Sequence, residues 1–202
     1  MAHLQKNNDK PSPTAANGCS SKPLFIIGYM ASGKTTFGSA LSKRLKRPFI
    51  DLDQYIEEKQ GQTIAEIFAE SGEEGFREIE RRLLHEVAEK GDAIISCGGG
   101  TPCFFDNMDF INSKGNSVFL EADAERLLTR LIEGSASRPI VKGKKPMEIK
   151  DTIERQLALR MPYYNKAKIR WDGNLLETAE EIEKNVEAFI RHNPFVFSES
   201  FV

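Results

Sequence analysis

Residues 28–35 read Gly-Tyr-Met-Ala-Ser-Gly-Lys-Thr and fit the pattern G-x-x-x-x-G-K-[ST] without a mismatch. No other feature narrows the possible folds as much. An apolar run over residues 23–27 enters the loop, and Phe37, Leu41 and Leu45 follow it at the i, i+4, i+8 spacing of a helix. A strand, a glycine loop and a helix in that order require a sheet with the helix laid back on one face. Such loops wrap polyphosphate, because their backbone N–H groups point inward and the helix presents its positive end. Gly28 and Gly33 would supply turns free of side chains, Lys34 would reach the β/γ-phosphates, and the Thr35 hydroxyl would complete a Mg²⁺ shell otherwise made of phosphate and water. A glycine turn that happens to precede a lysine-bearing helix is the bland alternative; it accounts for the turn but not for the whole pattern in its context. The segment points to a nucleoside triphosphate site.

Short apolar runs continue at 48–52 (PFIDL), 93–96 (AIIS), 117–120 (SVFL) and 168–171 (KIRW), each suited to a buried strand. Thr63-x-x-Glu66 and Ser71-x-x-Glu74 have capping-box spacing and predict two helices, the second with Phe76, Ile79, Leu83 and Val87 on one face. Further helices are expected over 124–132 and 147–160, and from Thr178-x-x-Glu181 to about Arg191. Strands alternating with helices imply parallel pairing and right-handed crossovers. The expected fold is therefore a three-layer α/β/α domain on a five-stranded parallel sheet, spanning residues 23–192. Ligands in such domains collect at the carboxyl ends of strands. Gly28, Asp51–Asp53 and Gly98–Gly100 all follow strands directly, so they should share one cleft.

Composition removes several alternatives. Lys+Arg 28 against Asp+Glu 30 leaves a formal net charge of −2, which gives no electrostatic argument for nucleic acid or a membrane surface as partner. The apolar runs are far short of a membrane span. Cys19, Cys97 and Cys103 cannot all pair internally and none has zinc-site spacing, which suggests a reducing, cytoplasmic setting with Cys97 as a packing residue. Residues 1–22 carry Asn, Ser and Pro without an apolar segment, so they are expected to form a disordered leader rather than a secretory signal. The aromatic tail, 193–202, either packs late onto the body or frays.

An acid ending a neighbouring strand is the usual partner for the magnesium, and Asp51 and Asp53 are the candidates. Two residues apart on an extended chain they would point to opposite sides, Asp51 to the metal's water shell and Asp53 to a second substrate. Alternatively they are solvated turn aspartates, or Asp53 caps a helix over 54–59. Arg77 could face an anionic acceptor or merely pair with Glu73 and Glu80 on a wet face, each pair worth about 0.2–0.5 kcal/mol. Arg160, near the end of its helix, could likewise face an anionic acceptor or simply favour the helix dipole. Gly98-Gly99-Gly100 costs backbone entropy but would let a small ligand touch the main chain. Residues 134–146 (GSASRPIVKGKKP) are either a solvated basic loop or a lid. In the second case Arg138, fixed by Pro139, would meet the transferring phosphoryl.

In order along residues 24–171, the chain resembles the shikimate kinases, small P-loop kinases of the nucleoside-monophosphate-kinase fold. The resemblance rests on GYMASGKTT with Phe37-Gly38, Phe49-Ile-Asp51-Leu-Asp53 with Ile56-Glu57, and Gly61-x-x-Ile64. It continues through Ile67-Phe68-x-x-x-Gly72-Glu73-x-x-Phe76-Arg77-x-x-Glu80, Gly98-Gly99-Gly100, Ser137-Arg138-Pro139-Ile140 and Arg160-x-Pro162-x-Tyr164. It implies transfer of the ATP γ-phosphoryl group to the 3-hydroxyl of shikimate, on the route to chorismate and the aromatic amino acids. It further implies catalysis by Lys34, Asp53 and Arg138, with Gly28, Ala31, Ser32, Gly33, Lys34, Thr35, Thr36 and Arg138 on ATP. Asp53, Arg77, Gly98, Gly99, Gly100 and Arg160 would hold shikimate, and Thr35 with Asp51 would serve Mg²⁺. A helical subdomain over about 53–82, formed by a helix over 55–82, would bind the acceptor beneath a lid at about 134–146. Arg130 is a looser candidate for stacking on adenine. The fold's default is a monomer. Gluconate- or adenylate-type kinases of the same fold, and a non-catalytic nucleotide-binding protein, are the competing readings.

Overall fold

The structure, a computed structural model, describes residues 22–134, 143 and 145–197. Its elements run β1 (Leu24–Ile27), α1 (Lys34–Leu45), β2 (Phe49–Asp51), α2 (Leu52–Gln60), α3 (Ile64–Ala88), β3 (Ile94–Ser96), α4 (Asn107–Lys114), β4 (Asn116–Glu121), α5 (Ala124–Glu133), α6 (Pro146–Tyr164), β5 (Ile169–Asp172) and α7 (Ala179–His192). The five strands lie in the order β2-β3-β1-β4-β5, and every pairing is parallel.

The central strand shows why the domain has three layers. Leu24 and Ile26 point to one face and pack with Phe37 and Leu41 of α1 and Val186 and Phe189 of α7. Phe25 and Ile27 point to the other, against Leu83 and Val87 of α3, Leu127 of α5 and Ile153 of α6. A strand apolar at every position must be covered on both sides, and the period-two alternation divides its side chains between two cores.

Caps set the helix boundaries. The Thr63 side chain accepts from Glu66 N while the Glu66 carboxylate accepts from Thr63 N, and Thr178 with Glu181 repeats the arrangement at α7. The second expected start, at Ser71, is present as well: Gly72 is non-helical, with φ 69° and ψ −173°, so α3 is two helices joined across a kink at that point. The continuous helix over 55–82 does not form. Gly61, in the left-handed region at φ 66°, closes α2, and the chain re-enters helix only at the Thr63 cap. Helix α6 runs past its expected end at 160 to Tyr164, with Pro162 inside it. The fully buried Tyr164 ring stacks on Phe119, 4.9 Å between centroids, and its hydroxyl donates to the Gly99 carbonyl at 2.6 Å. That anchoring outweighs the backbone bond lost to proline. Helix α4, which lacks a strong apolar stripe, was not expected at all.

Of the tail, Pro194–Val196 form one 3₁₀ turn with Val196 buried. Residues 1–21, expected as a leader, residues 135–142 and 144, which hold Arg138 and most of the expected lid, and residues 198–202 lie outside the described residues.

Candidate active site

The glycine loop joins β1 to α1. Gly28 has φ 148° and Gly33 φ 97°, and a Cβ at Gly28 would stand 2.6 Å from the Leu120 carbonyl oxygen, so this turn excludes any side chain. Ala31 also sits in the left-handed region, at φ 63°. Lys34 is buried and its Nζ donates to the Tyr29 carbonyl at 2.9 Å, which curls the lysine back over the loop. Beside it lies a cleft of about 280 Å³ lined by Ala31, Gly33, Lys34, Thr35, Thr36 and Arg130 among others.

Arg130 of α5 is a brace for this loop. Nη1 donates to the Ser32 and Ala31 carbonyls at 3.1 and 3.3 Å, and Nη2 to Gly173 and Asn174 at 2.8 and 3.1 Å. The Glu177 carboxylate accepts from Nε and Nη2. One guanidinium thereby ties the loop to the segment after β5. Sequence gave no sign of this, because the acceptors are main-chain oxygens far away in the chain.

Thr35 Oγ1 donates to Asp51 Oδ2 at 2.8 Å, which joins the start of α1 to the end of β2. The other Asp51 oxygen accepts from Asp53 N at 3.1 Å and Gln54 N at 3.5 Å, capping α2. Asp51 and Asp53 do part ways, but the reason differs from alternation along a strand. Asp51 ends β2 and Asp53 already lies in the first turn of α2, so the cap is Asp51 and not Asp53. No group of three or more His, Cys, Asp or Glu side chains suited to a metal occurs among the described residues. The pair of hard oxygens on Thr35 and Asp51 fits Mg²⁺, which keeps most of its shell as water and phosphate.

Each of the three consecutive glycines after β3 stands against a different candidate side chain. A Cβ at Gly98 would lie 2.7 Å from Asp53 Oδ1, one at Gly99 3.3 Å from Arg160 Nη1, and one at Gly100 2.8 Å from Arg77 Nη2. The Gly99 position is also 3.2 Å from Met30 N and 3.5 Å from the Gly28 carbonyl oxygen, so the turn abuts the phosphate loop. Residues from α2, α3 and α6 thus meet at one point beside the nucleotide cleft.

Their electrostatics differ. Burial pushes the Asp53 carboxyl up to about 6, the Asp51 charge adds to the rise, and Lys34 pulls against it. Arg77 forms both expected pairs, to Glu80 at 2.8 Å and Glu73 at 3.3 Å, but only Glu73 stands in solvent: Arg77 is 11% exposed and Glu80 1%. Glu80 also accepts from Thr101 Oγ1 at 2.6 Å. Spacing reveals such a pair but not its burial, so the importance of Glu80 could not be read from sequence. Arg160 Nη1 is buried with no hydrogen-bond partner among the described residues, and its guanidinium carbon lies 5.3 Å from the Tyr29 ring centroid. Burial raises both described thiols, Cys103 to about 11, so neither is a thiolate at neutral pH.

Residues 30–191 match the family model described as shikimate kinase. The shikimate kinase of Bacteroides fragilis is 48% identical over 164 residues, which cover 81% of this chain and 92% of that protein. Among solved structures, the shikimate kinase of Bacteroides thetaiotaomicron superposes with a TM-score of 0.83 at 44% identity, over 86% of this chain and 98% of that one. The shikimate kinase of Acinetobacter baumannii, solved in complex with shikimate, gives 0.74 at 27% identity over 86% and 94%.

Proposed function

This chain belongs to the shikimate kinase family, whose members are ATP-dependent kinases acting on an alcohol, and from that premise we propose that it phosphorylates the 3-hydroxyl of shikimate. One observation carries the assignment of residues: the triple-glycine turn gathers an aspartate and two arginines within reach of the phosphate loop. A small carboxylated polyol needs that combination, cations for its carboxylate and an acceptor for its hydroxyls.

In the proposed arrangement Arg77 and Arg160 bind the substrate carboxylate, a task suited to planar guanidinium groups. The glycine main chain lets the ring approach closely, and Asp53 accepts the hydrogen bond of the hydroxyl that attacks. With its carboxyl at about 6, Asp53 is ionised at neutral pH and can take the proton the hydroxyl loses. Lys34 and the loop N–H groups hold the β- and γ-phosphates, and Arg130 keeps the loop in shape for them. Thr35 and Asp51 would hold Mg²⁺, which when bound neutralises charge on the β/γ-phosphates. Phosphoryl transfer is mostly positioning and charge neutralisation, so Asp53 contributes more by orienting the hydroxyl than by basicity. Arg138 remains the proposed lid residue. A substrate-binding subdomain over about 53–82, a cytoplasmic monomer and a place in chorismate and aromatic amino acid synthesis complete the proposal. No helix among the described residues is long and apolar enough to cross a membrane.

ADP release, measured separately with shikimate, gluconate and AMP as acceptors, tests it. Turnover is expected with shikimate alone; turnover with AMP but not shikimate would transfer the chain to the nucleotide kinases.

A further inference from the structure

Arg77 is held at its edges by Glu80 and Glu73, but Glu73 is largely exposed and its 3.3 Å contact is long. Edge contacts to one firm and one loose carboxylate leave the tilt of the guanidinium plane unfixed. Besides Gly100, what meets the guanidinium is Phe104: the Arg77 guanidinium carbon lies 3.9 Å from the Phe104 ring centroid, with the Phe76 ring a further neighbour at 5.1 Å. Phe104 is itself firmly placed. It follows the 3₁₀ turn Thr101–Cys103, whose Thr101 is fully buried, donates to Glu80, and offers its carbonyl to the buried Asn107 side chain at 2.8 Å. The same contact repeats along α3, with Arg81 over Phe105 at 5.3 Å and His85 stacked on Phe110 at 3.6 Å. Positions 77, 81 and 85 are successive i, i+4 steps, so one helix face is zipped to the segment after the glycine turn.

We propose that Phe104 is a positioning residue for the acceptor carboxylate: its ring fixes the plane in which Arg77 presents its guanidinium. The inference rests on the assignment of Arg77 to that carboxylate. A cation over a partly buried ring gains from the ring's negative face, and losing that face frees the guanidinium to tilt.

Steady-state kinetics of Phe104→Leu, Phe104→Tyr and Arg77→Ala, singly and combined, test it. Phe104→Leu keeps an apolar side chain without the π face, and is expected to raise the KM for shikimate about 3- to 10-fold with kcat and the KM for ATP unchanged. Phe104→Tyr should stay within about twofold of the parent, since tyrosine keeps an aromatic face. Adding Phe104→Leu to Arg77→Ala should change nothing further, because the ring acts through the arginine. Progressively fluorinated phenylalanines placed at 104 keep the shape and weaken the negative face, so they give a stepwise rise in KM even where leucine impairs folding. An unchanged KM in that series, or an equal rise in the Arg77→Ala background, overturns the role of Phe104 alone. If Arg77→Ala itself leaves the KM for shikimate unaltered, the carboxylate assignment falls and this inference with it.

Discussion

The two ends of the cleft solve the same problem, holding charge out of water, by opposite means. At the nucleotide end the cations are met mainly by main-chain oxygens: Lys34 by the Tyr29 carbonyl, and Arg130 by the carbonyls of Ala31, Ser32, Gly173 and Asn174 alongside the Glu177 carboxylate. At the acceptor end side chains face one another, and the balance is incomplete. Asp53 is buried beside three other acids, Asp51, Glu80 and Glu57, Arg77 is pressed between rings and carboxylates, and Arg160 has a buried nitrogen with no partner among the described residues. A backbone cradle suits any polyphosphate. Under the proposed function, the buried Asp53 and the unpartnered Arg160 nitrogen would select the ligand whose groups complete them, which places specificity at the acceptor end.

If the division is real, substitutions at each end should leave the other's ligand alone. The largest effect is expected for Lys34→Ala, a fall in kcat of about 10²–10³ with shikimate affinity by calorimetry nearly unchanged. A parallel loss of shikimate affinity would mean the ends are one cooperative unit. Next, Arg77→Ala should raise the KM for shikimate about 30- to 100-fold while that for ATP stays constant; equal increases in both would make Arg77 a structural residue.

A third test reads the unbalanced charge directly, as stability. The folded chain holds the Asp53 proton up to about pH 6 and the unfolded chain releases it near 3.8, so between those values the folded state binds more protons. Stability therefore falls as pH rises through this window, and ionised Asp53 costs the fold about 1–3 kcal/mol above it. Asp53→Asn should then be more stable by that amount in urea at pH 7.5 in the metal-free protein, with the gain fading toward pH 4. Lower stability of the variant at pH 7.5 would contradict the strained-charge picture. The smallest effect belongs to the nucleotide end. Ala31→Gly removes a left-handed alanine at φ 63° and should raise stability by about 0.5 kcal/mol, the relief being partly offset by unfolded-state entropy. A clear loss of stability would show that the methyl group packs usefully.

The same contrast explains what could be read from the chain directly. The phosphate loop is eight consecutive residues whose function depends on its own φ/ψ angles and N–H directions, so its pattern is visible in one dimension. The inner strands β1, β3 and β4 were visible because strands buried on both faces need continuous apolar runs, the edge strands β2 and β5 show shorter ones, and the caps at Thr63 and Thr178 are local bonds between residues three apart. Residue spacing gave the Arg77 pairs with Glu73 and Glu80 but put them on a solvated face. Burial depends on Phe104 and Gly100 arriving from elsewhere in the chain. Alternation along a strand predicts separate directions for Asp51 and Asp53, whereas a helix cap is what separates them.

Sequence by itself determined the nucleotide loop, the parallel α/β layering and the glycine turn, because each follows from short-range sterics, periodicity or backbone chemistry. Only the tertiary structure decided that Asp53, Arg77 and Arg160 share one turn, that Arg130 braces the loop, and that Phe104 lies on Arg77. Those are meetings of side chains from α2, α3, α5 and α6 with segments tens of residues away. Their distances are set by how helices pack on a twisted sheet, a quantity no local pattern encodes.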